Sequence, residues 1–275
     1  MKLMLASNGC QYLDWSPVAA APSQSAIAAV LAGFVFAGIV VVLSVRAHSR
    51  PHAAQALKLL FTAFFGLAVT AYLLAELAGE QTCQRAGTTE VLAGAGLGTF
   101  SVITVTALTW LVVAYDWHEN VLGFLHVLVF VSCGFVVLLL CTNAINYIGA
   151  ELPGSSHVIA DALAAGVAAF SIFGAAIWIW KRPQAEGTSV GKRSCEVSIT
   201  EEKAVSWCAW AALGYLAVSS VATGVTTGLP GRMWRPTPAV WATYTAAGAA
   251  LVLPLIVLAL AINAFARTAP GQPEG

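Results

Sequence analysis

Seven stretches of mainly apolar residues, each about 20 residues or longer, run through this chain. A helix needs about 20 such residues to cross a hydrocarbon layer of about 30 Å, because every backbone N–H and C=O in that layer must be satisfied within the segment. The stretches lie near 25–45, 56–78, 91–115, 121–145, 158–180, 205–229 and 240–265. Between them stand RAHSRPH, GEQTCQRAGTTE, DWHEN, GAELPGSSH, KRPQAEGTSVGKRSCEVSITEEK and PGRMWRPTP, breaks rich in charge, proline or clustered polar residues. The expected fold is all-α, a polytopic membrane bundle of seven transmembrane helices over 25–266. A tail at 1–24, a loop at 181–204 and a disordered end at 267–275 complete the expected organisation.

Composition supports a lipid-facing surface. The chain is 59% hydrophobic and 9% charged, against about 25% charged in a soluble domain. Its 13 basic and 13 acidic residues cancel, which gives no bias toward nucleic acid. The distribution of that charge sets an orientation. Arg46, Arg50, Lys58, Lys181, Arg182, Lys192, Arg193, Lys203 and Arg267 fall on one side of the seven spans, and Lys2, Arg85, Arg232 and Arg235 on the other. Cytoplasmic loops carry the basic excess, so the N-terminus is expected outside and the C-terminus in the cytosol of a multi-pass cell-membrane protein. The span count depends most on DWHEN, a short connection without Lys or Arg. Trp117, Trp178, Trp180, Trp207, Trp234 and Trp241 fall near expected helix ends, where aromatic rings favour the headgroup layer.

Small residues let helices approach closely in lipid. Gly94 with Gly98, Gly224 with Gly228, and the run Ala164, Ala165, Gly166, Ala168 and Ala169 are the candidates for such contacts. Pro254 inside the seventh span removes a helical hydrogen bond and predicts a kink.

Ionisable and amide side chains inside a membrane are costly and mark candidate sites. Tyr72, Glu76 and Glu80 follow one another at i, i+4 spacing, and Lys58 lies five helical turns before Glu76. Asn143 and Asn146 end the fourth span and Asp161 opens the fifth. Tyr215, Ser219, Thr223 and Thr226 form a stripe on the sixth, and Thr243, Tyr244 and Thr245 open the seventh. In the expected topology these groups converge on the outer half. The predicted site is an outward-facing polar cavity formed by Glu76, Tyr72, Asn143, Asn146, Asp161, Thr223 and Tyr244, suited to a small polar ligand or a cation. Interhelical bonding among the same groups is the plainer reading.

His48, His52 and His118 lie toward the cytosolic side beside Asp116 and Glu119, which makes them candidate metal ligands. Pro51 interrupts the His48–His52 helical spacing, and His126 reads as a core histidine. Of six cysteines, none in a CxxC pattern, Cys10 and Cys83 are expected outside and are a candidate disulfide. Cys133, Cys141 and Cys208 read as buried thiols, and Cys195 as a cytosolic one.

Several chemistries find no residues here. Seven spans with an outer N-terminus make the chain similar to the microbial rhodopsins in outline, but its last span has no lysine for a retinal Schiff base. The last two spans lack the histidines of seven-span zinc hydrolases, and there is no P-loop or GxSxG elbow. No cofactor is expected. The leading expectation is a non-enzymatic sensor, receptor-like or assembly/scaffold subunit, whose partners are the bilayer and a membrane or cytosolic protein met through 181–204. The alternatives are a small-solute or cation transporter or channel using Glu76 and Asp161, and a membrane-embedded metal-dependent enzyme. No inverted repeat favours the transporter.

Overall fold

The computed structural model describes residues 17–44, 51–80, 83–115, 119–151, 193–228 and 240–265. These form α1 (Pro17–Ser44), α2 (Pro51–Leu77), α3 (Cys83–Ala114), α4 (Glu119–Glu151), α5 (Arg193–Gly228) and α6 (Val240–Phe265). All six are long and apolar enough to cross a membrane. They correspond to six of the seven expected segments, and the remaining one, 158–180, lies outside the described residues.

The first five helices each begin before the apolar segment expected there, and α6 has the expected bounds. α1 starts at Pro17, where a missing N–H costs nothing because the first turn has no acceptor for it. α3 begins at Cys83 rather than near 91, and α5 at Arg193 rather than near 205. The apolar criterion locates only the part of a helix in hydrocarbon. The polar turns CQRAGTTE and RSCEVSITEEK continue the same backbone ladder, and in α3 the polar Thr88, Thr89 and Glu90 are buried within the bundle.

Pairs of contacts give the direction of each helix. Phe36 meets Phe64 with ring centroids 5.5 Å apart, and the Ser25 hydroxyl donates to the Ala71 carbonyl at 2.8 Å, so α1 and α2 are antiparallel. Gly66 lies against Phe100 and Gly96 against Thr70, which makes α2 and α3 antiparallel. Gly87 faces Tyr147 and Gly98 faces Val136, and α4 therefore runs antiparallel to α3. The chain thus reverses between Ala114 and Glu119, where DWHEN was expected to be a connection.

α5 runs parallel to α2. Its Glu202 meets Lys58 at 3.5 Å, and further along its Tyr215 hydroxyl donates to the Leu92 carbonyl at 2.9 Å, at the depth of the last third of α2. The Cys208 thiol, donating to the Val257 carbonyl at 4.0 Å, sets the depth of α6. If α6 ran parallel to α5, Gly228 and Val240 would lie about 55 Å apart, more than the ~42 Å an extended chain of that length can reach. α6 is therefore antiparallel to α5. Taking the end where α1 begins as the upper end, α2, α4 and α5 finish there, and α1, α3 and α6 finish at the lower end.

α3 is the central helix, touching each of the other five described helices. Phe100, Ile103 and Trp110 on α3 pack with Leu59, Leu60 and Leu67 of α2 and with Leu258 of α6 in a continuous apolar core. Three glycines, Gly66, Gly96 and Gly98, permit the closest approaches. A Cβ on Gly66 would overlap the Phe100 ring, and one on Gly98 would lie 2.8 Å from Val136 Cγ1. The Gly94/Gly98 pair thus serves packing within the chain, whereas a Cβ on Gly224 or Gly228 would meet nothing within 4 Å. α1 exposes Ile27, Val30, Phe34, Val40 and Val41, as expected of a peripheral helix solvated by lipid. Pro254 is buried inside α6.

Candidate functional site

Most hydroxyls in the bundle turn back onto their own helix, the usual way to satisfy an O–H in an apolar setting. Thr99 donates to the Ala95 carbonyl, Thr104 to Phe100, Thr106 to Val102 and Thr142 to Leu138. Toward the upper end Thr226 and Thr227 keep this pattern, and other hydroxyls depart from it. There the Thr88 and Tyr147 hydroxyls share a buried hydrogen bond of 2.8 Å that joins α3 to α4. Two further threonines, Thr223 on α5 and Thr243 on α6, are 1% and 0% exposed, and neither Oγ1 has a hydrogen-bond partner. The antiparallel register through Cys208 and Val257 puts them at about the same depth on neighbouring helices.

Charge collects near both ends. At the upper end Arg85 and Glu80 form an ion pair at 3.7 Å, both largely buried. Glu90, seven residues into α3, is 6% exposed. The Gly96–Thr70 register places it at the depth of Glu76. At the lower end the exposed Lys58–Glu202 pair ties α2 to α5. There too His52 lies against Trp110 with ring centroids 5.6 Å apart.

The residues expected to share one cavity fall in different places. Tyr72 donates a hydrogen bond to Glu76, and both side chains lie on the exposed outward face of α2, Tyr72 at 62% exposure. Asn143 is half-buried, its Nδ2 facing Gly94 of α3, and Asn146 is exposed on α4. Thr223 is inside the bundle, and Tyr244 is exposed on α6. Asp161 lies outside the described residues, as do His48, His118 and Cys10. Cys83 is the first residue of α3. Among the described residues no group of three His, Cys, Asp or Glu side chains could hold a metal. Cys133, Cys141 and Cys208 are free, buried thiols.

Sequence reasoning passed over Thr88, Glu90 and Tyr147, and it placed Thr243 among the outer polar groups without assigning it to the cavity. The first two stand in GTTE, taken as the end of a loop because apolar residues begin only at Val91. Tyr147 sits two residues past the expected end of its span. The available signal was helical spacing, since Gly87, Glu90 and Gly94 continue the packed repeat of Gly94 and Gly98 backward by i, i+3 and i+4.

The chain matches no protein-family model, no curated protein and no solved structure at a significant level. Among the described residues, six long apolar helices form a bundle, the architecture of an integral, multi-pass membrane protein.

Proposed function

We propose that this protein crosses the cell membrane seven times, N-terminus outside and C-terminus in the cytosol. There it works without catalysis as a receptor-like or assembly subunit that accepts a small polar ligand in its outer half. Helix direction supports the odd number of crossings: α4 ends at the upper face, α5 begins at the lower face, and the apolar segment 158–180 falls between them in sequence. Lys58 and Lys203 near the lower end, with Arg46 and Arg50 between α1 and α2, support the lower face as cytosolic.

The observation that carries the ligand reading is the pair of orphaned hydroxyls, Thr223 Oγ1 and Thr243 Oγ1. A buried hydroxyl without a partner costs about 1–3 kcal/mol, a penalty that a polar guest between α5 and α6 would remove. The test is a thermal-stability screen of the purified protein against small polar solutes and cations. A solute should raise the unfolding temperature of the parent and leave that of the Thr223→Val/Thr243→Val variant unmoved. A solute that stabilises both proteins equally sinks the assignment, as does a panel in which nothing acts on the parent.

A further inference from the structure

The outward face of α2 carries a second feature, separate from the buried hydroxyls. Phe61, Phe65, Tyr72 and Glu76 all lie exposed along one stripe, at spacings of four, seven and four residues that keep them on one side of the helix. Tyr72 donates to the Glu76 carboxylate and so holds it in place on this face. Among the described residues no Lys, Arg or His forms an ion pair with Glu76, whereas Glu80 and Glu202 each have a cationic partner. A carboxylate turned toward lipid about one turn below Glu80 is costly unless a cation meets it, and a cation in the surrounding bilayer can reach this face.

We infer that this stripe binds a membrane lipid with a primary-ammonium head, the ammonium on Glu76 and an acyl chain along Phe65 and Phe61. Two properties favour a lipid over a partner helix. The order of the stripe, acid then phenol then two phenyl rings, is the polarity order of a single leaflet. Its length also fits: Glu76 to Phe65 spans about 16 Å at 1.5 Å per residue, close to the ~15 Å depth of one hydrocarbon monolayer, and Phe61, about 22 Å from Glu76, lies where only the end of the acyl chain reaches. The chemistry selects among heads. A primary ammonium donates N–H bonds to a carboxylate, whereas a trimethylated ammonium has no N–H to donate.

Native mass spectrometry of the intact protein, titrated with ethanolamine and choline phospholipids of identical chains, tests this. The parent should retain the ethanolamine lipid about 5–10-fold better, a difference of about 1–1.4 kcal/mol. Glu76→Gln should abolish the preference, Glu76→Asp should keep part of it, and Lys58→Gln at the far end of the same helix should leave it intact. A parent without preference overturns the proposal and leaves Glu76 to a partner's membrane-borne lysine or arginine. A preference that survives Glu76→Gln overturns the site. Competition by free phosphoethanolamine as strong as by the lipid overturns the role of the phenylalanines.

Discussion

Lys58 of α2 lies 3.5 Å from Glu202 of α5, joining two helices more than a hundred residues apart that run in the same direction. Both side chains are about half exposed or more, so the pair defines register more than it adds stability. Exposed ion pairs contribute roughly 0–1 kcal/mol. Lys58→Met should therefore lower the unfolding temperature only slightly. A thiol at position 58 in an otherwise Cys-free protein should react with impermeant maleimide from the cytosolic side alone. Labelling from the outside would reverse the proposed orientation.

Gly66 and Phe100 provide a sharper packing test. A methyl group at position 66 would overlap the Phe100 ring, which is fully buried. Overpacking of this kind costs about 1–3 kcal/mol. Gly66→Ala should therefore destabilise the protein by that amount, and Phe100→Leu should recover part of the loss in the double variant. Gly33→Ala on α1, where an added Cβ meets nothing within 4 Å, should be nearly neutral. Equal effects at positions 33 and 66, measured by thermal unfolding in one detergent, would contradict the packing described.

These two glycines also show what was legible in the sequence. Length and hydropathy reveal which segments become helices, because a bilayer demands both, and six of the segments form as expected. They do not reveal which face of a helix meets a neighbour. In lipid both faces are apolar, and the choice rests on single small residues such as Gly66 and Gly98. The candidate site suffered for the same reason. Tyr72 and Glu76 share a helix face, and spacing shows that much, but nothing in the spacing tells whether that face points inward. Glu90 went unnoticed because a charged residue beside a polar run reads as a helix end, although α3 continues through it.

The Thr88–Tyr147 hydrogen bond should couple α3 to α4 measurably. Interhelical hydrogen bonds in membranes average about 0.6 kcal/mol and reach about 1.7. A double-mutant cycle with Thr88→Val and Tyr147→Phe is expected to give a coupling energy in that range. A value indistinguishable from zero would mean that the two hydroxyls find other partners at no cost.

Thr223 and Thr243 should behave in the opposite way from Thr88. Replacing a bonded hydroxyl by a methyl group loses a bond, whereas replacing an orphaned one removes an unmet desolvation cost. Without ligand, Thr223→Val and Thr243→Val should each be neutral or stabilising by up to about 1 kcal/mol. The same substitutions should weaken any solute that stabilises the parent, so resting stability and ligand response move in opposite directions. A variant that loses stability without ligand would show that its hydroxyl is already satisfied, for example by an ordered water. The receptor-like reading would then lose the observation it rests on.

Transport makes a separate demand. If the outer polar groups bind without conducting, liposomes containing the protein should pass monovalent cations no faster than protein-free ones, and Glu76→Gln should change nothing. The placement of Glu76 leads to this expectation, since a carboxylate on the outward face of α2 borders lipid rather than the packed interior around α3. A conducting path needs its polar groups to follow one another through the bundle. Among the described residues, the interior between the Thr88–Tyr147 level and the Lys58–Glu202 level holds Phe100, Ile103, Leu67 and Leu258, and the buried Thr99 and Thr106 there bond back to their own helix. A protein-dependent flux that falls in Glu76→Gln liposomes would reverse this expectation and return Glu76 to the centre of the mechanism.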